Sequence, residues 1–83
     1  MMWTEDKNSI IADFTFKDFI QAFAFMTEVA LHAEKLNHHP SWSNSYNHVN
    51  IILTTHDAGN TITDKDRKMA DIISKVYLKY QSF

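Results

Sequence analysis

The chain has 83 residues, of which 45% are apolar, with one glycine, one proline and no cysteine. This is enough apolar side chain for a single small domain over residues 1–83, and the lack of cysteine excludes disulfides, thiolate nucleophiles and cysteine-bound zinc. The formal net charge of −2 gives no basic stripe for a phosphate backbone, so we expect no direct contact with nucleic acid.

Two strands are predicted near the amino-terminal end. Residues 10–16 (IIADFTF) are rich in strand-forming side chains. Residues 3–5 are expected to pair with them as a hairpin, because the Asp, Asn and Ser of residues 6–9 favour a turn.

An amphipathic helix is predicted from about residue 17 to residue 36. Its entry is expected at residue 15 or 16, with Asp18 in the electropositive first turn. The apolar residues that recur three and four positions apart are Phe19, Ala22, Phe23, Met26, Ala30 and Ala33. Three side chains of this helix are assigned to the core: Phe23, Phe25 and Met26.

This helix must end before Pro40, because proline disfavours helical geometry in the residue ahead of it. Asn37 suits a left-handed helix cap. His38 and His39 therefore lie on the irregular exit of the helix, beside a conformationally stiff residue. Such a position suits side chains that must point at a ligand.

Further strand and helix patterns follow in the second half of the chain. A strand is predicted over residues 46–55, whose one face carries Val49, Ile51, Leu53 and Thr55. Residues 57–60 form a turn around the only glycine. A second helix follows over about residues 64–80, where Thr63 and Asp66 resemble a capping box. Its apolar stripe consists of Met69, Ile72, Ile73, Val76, Tyr77 and Tyr80.

The predicted fold class is α+β with the order ββαββα, in which one strand of the second pair has no assigned bounds. It has two layers, an antiparallel four-stranded sheet and two helices on one face of it. The first seven residues show no secretory pattern and no apolar run approaches the ~18 residues of a membrane span. We expect a cytoplasmic protein without membrane contact.

Polar side chains collect where the predicted elements end. Glu34, Asn37, His38 and His39 leave the first helix, and His56 and Asp57 leave the strand. Adjacent histidines point in different directions and the HExxH pattern is absent, so we expect no metal site. Acid–base chemistry suits imidazoles, which titrate near neutrality. Residue type alone leaves open the alternative of ordinary exposed loop histidines.

The spacing of these residues resembles the pterin-4a-carbinolamine dehydratase family. The resemblance covers roughly residues 14–74. The pattern that carries it is Glu34-x-x-x-His38-His39-Pro40-x-Trp42-x-x-x-Tyr46, followed by Thr55-His56 and by Asp66.

The resemblance implies dehydration of 4a-hydroxytetrahydropterin to quinonoid dihydropterin, with no metal and no organic cofactor. It implies that His38, His39 and His56 are the catalytic residues, with Glu34 and Asp66 as supporting carboxylates. It does not indicate which histidine is the acid and which is the base.

The resemblance also implies a set of substrate-binding residues: Asn37, Trp42, Thr54, Thr55 and Asp57. Two features depart from the family pattern. Asn37 stands where many members carry Asp, and the turn over residues 59–63 is one residue longer than the usual Gly-Gly-Leu-Thr form. Asp66 is aligned with the family's aspartate by its offset from Thr63, and Asp64 is the alternative.

The expected partners are a small-molecule pterin and further copies of the chain, as a homodimer or homotetramer, because the core is small. Two other functions stay open. Animal members of the family also act as dimerisation cofactors for a homeodomain transcription factor. The same fold could instead act on another pterin, for example in molybdopterin metabolism.

Overall fold

The computed structural model describes residues 2–81, which form a four-stranded antiparallel sheet and two long helices. The strands are β1 (Thr4–Asp6), β2 (Ser9–Thr15), β3 (Ser41–Ser45) and β4 (His48–Leu53). The helices are α1 (Phe19–Leu36) and α2 (Asp64–Gln81), and a short 3-10 turn, His56–Ala58, connects β4 to α2. The strands lie in the order β1-β2-β4-β3. The predicted α+β class and the ββαββα order are confirmed.

One face of the sheet and both helices share a single hydrophobic core. In the two central strands, Ile10 pairs with Leu53 and Phe14 with Val49, and all four side chains are buried. The buried residues that α1 adds are Ala22, Phe25, Val29 and Ala33. Those that α2 adds to this apolar cluster are Met69, Ala70, Ile73 and Val76. Both helices therefore cover the same face of the sheet, as predicted.

Helix α1 begins later than the sequence predicted. Asp18 has extended backbone geometry, and its Oδ1 accepts a hydrogen bond from the Gln21 N–H at 2.8 Å, so it is the N-cap. Thr15 is still the last residue of β2, and the Phe16 N–H donates to the Asn47 carbonyl at 2.8 Å. The predicted entry at residue 15 or 16 was wrong because sheet pairing extends through both residues.

The strand predicted over residues 46–55 is shorter and belongs to a hairpin. Tyr46, with a φ of 51°, and Asn47 form the turn, and the Asn44 side-chain amide donates to the Tyr46 and His48 carbonyls. β4 runs only over His48–Leu53. The other strand of the hairpin is β3, whose sequence (SWSNS) has too few apolar residues to signal a strand.

Helix α1 carries large apolar side chains on its outer face as well as on its core face. Phe25 is buried and Met26 is half-buried, but Phe23 is 55% exposed, so its predicted place in the core was wrong. The sheet contacts the face defined by the four buried residues given above, and this turns Phe23 toward solvent. The other large apolar side chains exposed on α1 are Phe19, Ile20 and Leu31. Within residues 2–81, neither helix has the length and apolar character needed to cross a bilayer.

Candidate active site

The exit of α1, the end of β4 and the start of α2 meet around a cavity of about 170 Å³. The lining residues are Asn37, His38, His39, Thr54, Thr55, His56, Asp57 and Lys65. A larger cavity, about 740 Å³, lies between β1 and α2 and is lined in part by Trp3, Ile10 and Arg67. No imidazole lines the larger cavity, so chemistry and not size identifies the candidate site.

The end of α1 separates the two adjacent histidines. Asn37 has left-handed geometry, with a φ of 52°, and its N–H donates to the Glu34 carbonyl at 3.1 Å. The His38 N–H donates to the Ala33 carbonyl at 3.0 Å, which completes a Schellman motif. The chain turns so sharply here that the His38 side chain lies inside the protein while that of His39 stays exposed.

The buried histidine contacts a buried carboxylate from the other helix. His38 Nε2 lies 2.6 Å from Asp66 Oδ1, and Asp66 is fully buried. The second oxygen of Asp66 accepts the Thr55 hydroxyl at 2.7 Å and the Thr63 N–H at 2.9 Å. The bond to Thr63 is the half of the predicted capping box that forms, since the Thr63 hydroxyl lies 2.7 Å from the Thr55 hydroxyl. Asp66 therefore caps α2 and holds His38 at once.

Three hydrogen bonds keep this carboxylate ionised. Burial alone raises the pKa of the Asp66 carboxyl, but the hydrogen bonds from Thr55, Thr63 and His38 outweigh it and hold the pKa below its usual value. An ionised carboxylate only accepts hydrogen bonds, so His38 donates through Nε2. Nδ1 is then the nitrogen of His38 that can exchange a proton with a ligand.

His39 also has a carboxylate partner, but this pair is exposed to solvent. Its Nε2 lies 2.8 Å from Glu34 Oε1, with side chains 58% and 80% exposed. An exposed pair of this kind typically contributes only ~0–1 kcal/mol to stability. The contact orients the ring without fixing it as firmly as the buried pair does.

The third histidine is held by an amide. His56 opens a five-residue loop that is closed by a bridge between Thr55 and Thr61. The last residue of that loop is Asn60, whose Oδ1 lies 2.6 Å from His56 Nδ1. All three predicted catalytic histidines therefore line one cavity, and each is oriented by a different partner.

Comparison with known proteins assigns the chain to a family. The family model described as pterin 4 alpha carbinolamine dehydratase matches residues 1–76. The chain belongs to this family. One relative is a Rhizobium rhizogenes protein that is named as a pterin-4-alpha-carbinolamine dehydratase. It is 53% identical over 75 residues, which cover 88% of this chain and 73% of the relative. One of the same name from Rhizorhabdus wittichii is 54% identical over 71 residues, covering 86% and 72%.

Solved structures agree with the family and its fold. A Brucella melitensis protein described as a transcriptional coactivator/pterin dehydratase superposes with a TM-score of 0.87 at 44% identity, covering 92% of this chain and 82% of the other. A pterin dehydratase-like protein described as a RuBisCO assembly factor superposes with a TM-score of 0.74, covering 90% and 86%. At 20% identity the second protein shows only a shared fold. The predicted resemblance is confirmed, and the activity for which the family is named is that of a hydro-lyase.

Four of the five residues that the family resemblance assigned to substrate binding line the cavity. They are Asn37, Thr54, Thr55 and Asp57. Two of their hydroxyls already have partners in the protein: that of Thr54 donates a hydrogen bond to the Asn8 carbonyl at 2.6 Å, and that of Thr55 donates one to Asp66. Their contacts with a pterin stay predictions.

Trp42 does not line this cavity. It is half-buried, packs against the hydrophobic core and pairs with Ile51 on the helix-facing side of the sheet. Its predicted role as an apolar wall for the substrate stays a prediction, and in this conformation its contacts are with the core.

Two residues of the site were not expected from the sequence. Lys65 has no role among the predicted site residues, yet it lines the cavity. Asn60 was noted only as part of a long turn, yet it holds His56. Neither has a signal in the sequence, because Asn60 reaches the site through the fold of the loop between β4 and α2, and Lys65 through the position of the first turn of α2. In the part of the chain that the structure describes, no three His, Asp or Glu side chains are grouped as metal ligands.

Proposed function

We propose that this chain catalyses the dehydration of 4a-hydroxytetrahydropterin to quinonoid dihydropterin, with His38, His39 and His56 exchanging the protons. In this reaction the bond between C4a and its hydroxyl oxygen breaks, and the oxygen leaves as water after gaining a proton. The N5 lone pair forms the new double bond to C4a, and N5 then gives up its proton.

The observation that carries this proposal is the set of three imidazoles around one cavity. Each ring is held through one nitrogen, which leaves Nδ1 of His38, Nδ1 of His39 and Nε2 of His56 to face a ligand. Near neutral pH an imidazole can donate or accept a proton, so one ring can protonate the leaving oxygen while another takes the N5 proton. Both steps are proton transfers, for which the proposal needs no metal or organic cofactor.

The proposed role is recycling of the pterin cofactor of aromatic amino acid hydroxylases, in the cytoplasm. The proposal includes self-association as a homodimer or homotetramer, supported by the large apolar side chains exposed on the outer face of α1. Dehydration of a different pterin by the same residues is the nearest alternative substrate.

A spectrophotometric assay of 4a-hydroxytetrahydropterin dehydration tests the proposal. The wild type is expected to exceed the spontaneous rate, and His38→Ala and His56→Ala are each expected to lose roughly 10²-fold or more, the contribution of a general acid or base. His32→Ala is the matched control, because His32 lies on α1 away from the cavity. Circular dichroism verifies that each variant is folded. A folded wild type that leaves the spontaneous rate unchanged would refute the proposal for this substrate.

Two observations favour a second candidate function. Large apolar side chains are exposed on α1, and a structural relative is described as a transcriptional coactivator as well as a dehydratase. A non-catalytic role as a dimerisation or transcription cofactor would use this face and not the histidines. The dehydration assay separates the two functions, because loss of His56 would leave a binding face intact.

A further inference from the structure

We propose that Asn60 is a positioning residue that fixes the tautomer of His56, so that Nε2 is the nitrogen through which His56 accepts a proton. The catalytic meaning of this assignment rests on the proposed dehydratase function. The contact itself is a property of the loop between β4 and α2 and can be measured without any substrate.

The backbone of the loop brings the two side chains together. The Thr55 N–H donates to the Thr61 carbonyl at 3.0 Å, and the Asn60 N–H donates to the Thr55 carbonyl at 3.1 Å. These bonds close the loop, so its first residue, His56, lies beside its last residue, Asn60. Asn60 has a φ of 58°, in the left-handed region that asparagine tolerates better than most residues. The left-handed backbone of Asn60 thus places its side-chain amide beside the His56 ring, and few other residues adopt this geometry without strain.

The atoms in contact determine which nitrogen carries the proton. The Asn60 atom that lies 2.6 Å from His56 Nδ1 is the carbonyl oxygen Oδ1, which can only accept a hydrogen bond. Nδ1 is therefore the donor. A neutral imidazole has a single N–H, and the hydrogen bond at one nitrogen sets the state of the other. His56 then carries its lone pair on Nε2.

The other two histidines are held the opposite way. His38 and His39 are both bound through Nε2, and both of their partners are carboxylates. His56 is bound through Nδ1 to an uncharged amide, which orients the ring without adding a negative charge in contact with it. The remaining charged side chains of the cavity are Asp57 and Lys65, of opposite sign. This distribution assigns proton acceptance from N5 to His56 and leaves protonation of the leaving oxygen to His38 or His39.

The tautomer of His56 can be read directly from imidazole ¹⁵N shifts in long-range ¹H–¹⁵N spectra. The signals are assigned by their loss in His56→Ala, and the spectra are recorded where the ring is neutral. We expect the wild type to show the Nδ1–H tautomer. Asn60→Gly, which keeps the left-handed backbone but removes the amide, is expected to lose that preference. Lys7→Gly is the matched control, since Lys7 also has a positive φ but lies in the turn between β1 and β2.

Activity then tests whether the tautomer matters. Asn60→Gly is expected to lower kcat by roughly 10-fold, less than loss of a whole general base (~10²–10⁴), because the ring still samples the correct tautomer. KM should change little, since Asn60 does not line the cavity. Asn60→Asp keeps the acceptor, so it should retain the Nδ1–H tautomer and most of kcat. Because a carboxylate favours the imidazolium, the acid limb of its activity profile should move to higher pH.

Two results would overturn the assignment. One is a wild type in which His56 carries its proton on Nε2; the other is an Asn60→Gly variant with unchanged tautomer and unchanged kcat. A wild type without dehydratase activity would instead refute the proposed function, while the ¹⁵N spectrum would still decide whether Asn60 sets the tautomer.

Discussion

A single carboxylate, Asp66, connects the stability of the protein to the geometry of its histidines. It is fully buried, caps the first turn of α2 and accepts a hydrogen bond from His38. A buried ionised group that lost these donors would be costly, because it could not regain water. Stability and activity should therefore respond together when this residue is changed.

We predict that Asp66→Asn lowers the free energy of unfolding at neutral pH by about 1.5–3 kcal/mol, the range for hydrogen bonds to a charged group. The carboxyl pKa is lower in the folded chain than in the unfolded one. Its contribution is therefore complete above the unfolded pKa, ~3.9, and is lost as the pH falls through the lowered folded pKa. Asp66→Asn should remove this part of the acid dependence. Urea denaturation from neutral pH down to about pH 3 measures both effects.

The matched control for this variant is Glu34→Gln, which changes the exposed carboxylate beside His39. Its free energy of unfolding should stay within about 0.5 kcal/mol of the wild type, as is usual for surface changes. Equal losses in the two variants, or an unchanged acid dependence in Asp66→Asn, would contradict the role given to Asp66.

At this scale the sequence indicated which histidines line the cavity, but not which nitrogen of each ring its partner contacts. The spacing of His38, His39, His56 and Asp66 was enough to name them together. The partner of His56 could not be named, because Asn60 reaches the ring only after Thr55 and Thr61 have closed the loop. That closure is a tertiary contact without a periodic pattern.

At the scale of elements, the exit of α1 determines where two of the histidines go. Its Schellman motif depends on the left-handed geometry of Asn37. We predict that Asn37→Ala lowers the free energy of unfolding by about 1 kcal/mol, because alanine keeps the Cβ that is strained at this φ but loses the polar side chain that lets asparagine tolerate it. Asn37→Gly should cost little, because glycine adopts the same geometry without strain.

Comparing these two variants separates the effect of the Asn37 backbone geometry from that of its side chain. Urea denaturation gives the stability, and the dehydration assay gives kcat for each. If the backbone turn is what positions His38, Asn37→Gly should keep more activity than Asn37→Ala. A glycine variant as unstable as the alanine variant would show that the Asn37 side chain, and not its φ, stabilises the helix end.

The elements themselves were predictable where burial imposes a clear period. The alternation of β2 and β4 follows from their shared buried face, and the boundaries of α2 follow from its stripe and its cap. β3 was counted in the predicted order but not located in the sequence, because only Trp42 among its five residues is a large apolar side chain. The start of α1 was misplaced, because hydrogen bonding to the sheet continues through Phe16 and the helix is capped by Asp18, which leaves only one residue to mark the boundary.

At the scale of the whole molecule, the outer face of α1 exposes several large apolar side chains to solvent. Ile20 is 78% exposed and Phe23 is 55% exposed, and Leu31 extends the same face toward the site. Large apolar side chains exposed together on one surface often mark a protein–protein contact. Residues 19–27 contain no charged side chain, so two copies of this face meet without repulsion, and it suits an isologous contact between two α1 helices.

We therefore predict that the protein self-associates through α1 and that Phe23→Glu shifts it toward the monomer, because burying an unpaired carboxylate in an apolar contact is unfavourable. Sedimentation velocity over a range of protein concentrations measures the shift. Leu78→Glu is the matched control, since Leu78 is an equally exposed apolar residue on α2. It should behave as the wild type does. A wild type that is monomeric at every concentration would refute self-association and leave this face for a different protein, which is what the non-catalytic function requires.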